Sequence, residues 1–92
     1  MSGGAHGANL AAMPVFLLSH QHAAAECAAA FAAWRGFDSP LRGGSVASTC
    51  RDGGHALWWR VEAPSAQAAL ALLPPYVAHR TEAIRVRDVQ IP

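Results

Sequence analysis

The chain has 92 residues, of which 52% are hydrophobic and only 14% charged, and its formal charge is +1 with His neutral. That length fits one domain. All seven cationic side chains are Arg without a basic run, which speaks against nucleic-acid binding, and no stretch of about 20 apolar residues offers a membrane-spanning helix. Two Cys are too few for a disulfide scaffold and there is no secretory pattern at the start, so the expected setting is cytoplasmic, with both thiols reduced.

Met1 to Ala12 is a Gly/Ala-rich stretch without periodicity and reads as a disordered leader, leaving residues 13–92 as the domain. Val15 to His20 is short, apolar and partly β-branched or aromatic, which predicts a first strand buried on both faces. Ala24, Cys27, Ala28, Phe31 and Trp34 recur at helical spacing and predict an amphipathic helix over Ala23–Trp34, closed by Gly36 and Asp38-Ser39-Pro40. Ser45 to Cys50 reads as a second strand, Arg51-Asp52-Gly53-Gly54 as a turn, and His55 to Glu62 as a third strand. Ser65 is a cap for a second helix over Ala66–Leu73, which Pro74-Pro75 should stop. Glu82 to Ile91 reads as a final strand whose phase slip at Asp88-Val89 suggests a bulge.

Six elements in this order make two split βαβ units, an α+β domain of ferredoxin-like β-α-β-β-α-β type. Right-handed crossovers give an antiparallel sheet in order 4-1-3-2 with both helices on one face. Phe16 and Leu18 share one face of the first strand and Val15 and Leu17 the other, so both faces are apolar while only one is covered by the helices, and a homo-oligomer through the sheet is expected.

That topology gathers side chains the linear sequence keeps apart. His20 and His22 follow the first strand, Cys50 and His55 flank the hairpin turn, and His79 precedes the last strand, all at one end. Imidazole and thiolate suit zinc, copper and nickel, so His20, His22, Cys50, His55 and His79 form the candidate ligand set for a transition metal ion. Taken singly, each His reads more readily as a solvated loop residue or a hydrogen-bonded core group than as a ligand. Cys27 lies near the same end but, on an Ala-rich helix, reads as a small buried hydrophobe.

His20-Gln21-His22, Glu26-Cys27, Ser39-Pro40-Leu41-Arg42, Gly54-His55 and the closing Tyr76 to Glu82 segment carry a resemblance. Over residues 13–92 the chain resembles small ferredoxin-like proteins of the dimeric α+β barrel type from high-GC bacteria, including nickel-binding members. The resemblance implies the fold, assembly through the sheet, and metal binding by His near the strand ends. It implies no reaction. Three functions remain open on the sequence. The first is a small metal-binding protein. The second is a cofactor-independent isomerase or monooxygenase-like enzyme, with His22, His55 or His79 as acid or base and an apolar pocket near Trp59 or Tyr76. The third is a structural assembly module.

Overall fold

The computed structural model describes residues 13–92; the leader expected over residues 1–12 lies outside them. Four strands form one sheet: β1 (Val15–Gln21), β2 (Ala47–Ser48), β3 (Ala56–Glu62) and β4 (Thr81–Val86). Their order is β2-β3-β1-β4, with every neighbour antiparallel, which is the expected order read from the opposite edge. Three short helices connect them: α1 (Cys27–Ala32), entered through a 3-10 turn over Ala24–Glu26, α2 (Ala66–Leu70) and α3 (Pro75–Ala78). Among the described residues no helix is long and apolar enough to cross a membrane.

The strand period of two decides which residues enter the core. Phe16 and Leu18 of β1 lie opposite Val61 and Trp59 of β3, and all four are buried against Ala69, Leu73 and Val77 from the helical side. Val15 and Leu17 point the other way and are half-buried, with Trp58 and Val86 on the same open face.

Local chemistry sets the ends of the elements, and several differ from the expected bounds. The first helix is shorter than Ala23–Trp34. Its last turn tightens, with Trp34 N–H donating to Phe31 O and Arg35 N–H to Ala32 O, and the chain then passes through Gly36 at φ +71°. The second strand keeps only two of its six expected residues. The Ser48 hydroxyl accepts the Cys50 N–H at 3.0 Å, and the Thr49 carbonyl leaves the ladder to accept Asp52 and Gly54 N–H, which starts a 3-10 turn over Cys50–Asp52. Ser65 caps α2 as expected, accepting from Ala68 N–H at 3.1 Å. Pro74-Pro75 does not only stop a helix. Pro75 takes the first position of α3, where a missing N–H costs nothing. The last strand ends at Val86 without a bulge, because its register runs Val15↔Val86 to His20↔Thr81 and β1 offers no pairing partner before Val15.

Candidate metal centre

One end of the sheet collects His22, Cys27, Cys50 and His55, each offering one ligand atom, with all four atoms within 4.8 Å of one another. Three segments deliver them. His22 stands one residue past β1, and its N–H donates to His55 O at 3.1 Å, so the two segments stay paired beyond the formal strand ends. Cys27 is the first residue of α1. Cys50 and His55 flank the β2–β3 connection.

That connection is held by Thr49. Thr49 N–H donates to Ala56 O at 2.9 Å, the Thr49 hydroxyl accepts from Ala56 N–H at 3.1 Å, and Thr49 O receives Asp52 and Gly54 N–H. Thr49 packs so closely on Gly54 that a Cβ there would stand 2.7 Å from the Thr49 Cβ. Gly53 turns the chain at φ +85°. His55 follows at φ +53°, the one non-Gly residue with positive φ among those described. A left-handed residue without Gly stores strain that commonly sits at functional positions. Its Nδ1 is also buried with no hydrogen-bond partner, the sole such side-chain nitrogen or oxygen among the described residues. A polar atom buried this way costs about 1–3 kcal/mol unless something satisfies it.

On the other side, Glu26 braces the approach to Cys27. Its Oε1 accepts Ala23 N–H at 2.9 Å, and its Oε2 accepts from Arg80 Nη2 at 2.9 Å and Nε at 3.1 Å. Arg80 also donates to Tyr76 O and lies 3.8 Å over the Tyr76 ring. The Ala23 amide and then Arg80 hold the Glu26 carboxyl below the usual carboxylate range.

The imidazoles are polarised from behind. Thr81 Oγ1 donates to Val77 O at 2.6 Å, so it can accept from His20 Nδ1 at 3.0 Å. A carbonyl can only accept, and the sequence of donors follows from it. Neutral His20 then carries its proton on Nδ1 and presents the Nε2 lone pair. His22 Nδ1, 2.9 Å from that Nε2, must donate. Neutral His22 is left with a lone pair on Nε2, which lies 3.8 Å from Cys50 Sγ inside the group. A hydrogen bond that fixes the tautomer of a ligand from its far nitrogen is the usual arrangement behind metal-bound imidazole. Burial lowers the pKa of both His20 and His22, so the neutral, ligating form is favoured. Burial and the neighbouring Cys50 sulfur raise the Cys27 thiol.

Of the five residues expected as ligands, His22, Cys50 and His55 enter the group. His20 stands behind it, fully buried with both ring nitrogens already engaged. His79 is exposed just after α3, in an open hollow with Ser19, Gln21 and Glu82. Cys27, expected to be a buried hydrophobe, is half-buried, and its sulfur is the fourth atom of the group. Its position at the helix start, beside the other donors, was the signal for it. In a tetrahedral site with bonds of about 2.0–2.3 Å, donors stand about 3.3–3.8 Å apart. The His22–Cys50 pair is at that spacing, and all four donor atoms lie within 4.8 Å of one another. No family model, curated protein or solved structure matches the chain.

Proposed function

We propose that this chain is a small transition-metal-binding protein of ferredoxin-like architecture that holds one ion between His22, Cys27, Cys50 and His55. The observation that carries this reading is the buried, unpartnered His55 Nδ1 in a residue that also contributes to a four-donor group. A bound ion satisfies that nitrogen. Two thiolates and two imidazoles are the donor set of a closed tetrahedral zinc site, and zinc is the metal this reading favours over nickel or copper. Four protein donors fill the tetrahedron and leave no open position for a substrate. The ion's role is therefore to tie the end of β1, the start of α1 and the β2–β3 turn together, in a chain whose helices span only four to six residues.

X-ray absorption of the zinc-loaded protein tests the donor set. Two sulfurs at about 2.3 Å and two nitrogens at about 2.0–2.1 Å are expected, whereas a shell of oxygen and nitrogen alone overturns it.

A second reading is supported by a half-open cavity of about 180 Å³ whose apolar wall is Phe31, Trp34, Leu41, Val46, Leu57 and Trp59, with Arg42, Gly43 and Gly44 also lining it. A dry cavity of about 150 Å³ admits benzene, so this one suits a single aromatic ring, in keeping with the enzyme alternative. No His lines this cavity, so His22 and His55, the candidate acid–base groups, stand outside it. Tyr76 does not line the cavity. Binding of small aromatics to metal-free protein, followed by Trp fluorescence, tests this second reading.

A further inference from the structure

We propose that Cys27 and Cys50 make the centre redox-responsive: a peroxide joins the two sulfurs as a disulfide and expels the metal. The proposal rests on the metal-binding reading of the same group and names its regulation. The two sulfurs are donors of one group spanning no more than 4.8 Å. They are the chain's only Cys, so intramolecular oxidation has a single disulfide product. Both residues are half-buried, open enough for a molecule the size of hydrogen peroxide. They also sit on short, separately anchored turns. Cys27 follows Glu26, which Ala23 and Arg80 hold, and Cys50 opens a 3-10 turn fastened by Ser48. Neither sulfur lies within a long helix or a strand ladder.

The chemistry balances with one peroxide per centre. One thiolate attacks a peroxide oxygen, the O–O bond breaks, and a sulfenic acid and hydroxide result. The second thiolate attacks the sulfenic sulfur, the S–S bond forms, the S–O bond breaks and a second hydroxide leaves. The two sulfurs give up two electrons, the peroxide accepts them, and two protons convert the hydroxides to two waters. A disulfide sulfur carries no thiolate charge for the metal. His22 and His55 alone then hold the ion weakly, and it departs. The disulfide closes the same Cys27-to-Cys50 loop that the metal closed, so the chain stays tied across release and the change can be reversed.

The test uses zinc-loaded full-length chain with one and two equivalents of hydrogen peroxide. Released zinc is read with a chromogenic chelator, and the protein by intact mass and non-reducing peptide mapping. The expected result is one zinc released per peroxide consumed, a mass about 2 Da below the reduced metal-free chain, and a Cys27–Cys50 linked peptide pair. Dithiothreitol with added zinc should restore the loaded form, and C27S and C50S should each fail to show the 2 Da loss. Zinc retained after two equivalents overturns the proposal. Zinc lost together with a gain of about 32 Da, or with disulfide-linked dimers, overturns it equally. Failure to take up zinc before any peroxide is added marks failure of the metal-binding reading, and the proposal falls with it.

Discussion

At the scale of single residues, the centre depends on the direction of one hydrogen-bond chain. Val77 O accepts from Thr81, Thr81 from His20, and His20 from His22, which leaves His22 Nε2 free to ligate. His20→Phe keeps a buried ring but removes the acceptor for His22 Nδ1. It should weaken zinc binding about 10–100-fold while the far-ultraviolet circular dichroism stays native. Zinc titration against a competing chelator reads this, and unchanged affinity would mean that His20 only fills space. The same residues set the pH dependence of the metal-free fold. His20 and His22 have folded pKa values below their unfolded ones, so the unfolded chain takes up more protons as pH falls. Their contribution to stability is present above about pH 6.5 and is lost as pH drops through it. Cys27 acts in the opposite sense: its folded pKa is raised, so stability declines as pH rises past the ordinary thiol value of about 8.5. The melting temperature of metal-free protein should therefore peak between those limits and fall by pH 5.5. A flat profile there would contradict the His assignment.

At the scale of elements, the β2–β3 turn carries the most consequence per residue. Gly54→Ala places a Cβ against the Thr49 side chain, which is itself tied to Ala56 on the opposite arm. The substitution should cost about 1–3 kcal/mol in chemical denaturation and weaken metal binding, because it moves Cys50 and His55 together. A variant as stable as the parent would mean that the turn has room to shift. The elements were legible in the sequence to different degrees. The β1 and β3 segments and the Ser65 cap follow from side-chain composition and local hydrogen bonding and were readable, whereas the half-buried Val15 and Leu17 correct the expectation of a first strand buried on both faces. The short β2 was not readable, because the Thr49 carbonyl leaves the ladder to accept Asp52 and Gly54 N–H, a choice that propensity does not report. For the same reason Cys27 passed for a hydrophobe: helical spacing says which face it shares, not that the helix starts within reach of a partner sulfur. His79 was placed at the correct end by topology, yet the exit from α3 leaves it exposed. Topology assigns an end of the sheet, and only side-chain direction assigns a ligand.

At the scale of the whole molecule, two features stand out: one sheet face lacks cover, and a His/Cys group that could hold a metal ion lies at one end. We propose that a second copy covers the open face, where Val15, Leu17 and Trp58 are half-buried and Ile84 is 38% exposed. Light scattering should then give twice the chain mass, and Trp58→Glu should return it to the monomer without loss of metal. A monomeric parent protein would remove that proposal and leave the centre untouched, since the four ligands come from one chain. The centre itself is tested most directly by elemental analysis of purified, untagged protein by plasma mass spectrometry, beside His55→Asn. Asn tolerates positive φ, so the variant removes the imidazole while leaving the turn its backbone. The parent should carry close to one zinc per chain, and the variant, folded, should carry little. A parent that is metal-free and takes up no added zinc, nickel or copper, or a variant that retains its metal in full, would contradict the account.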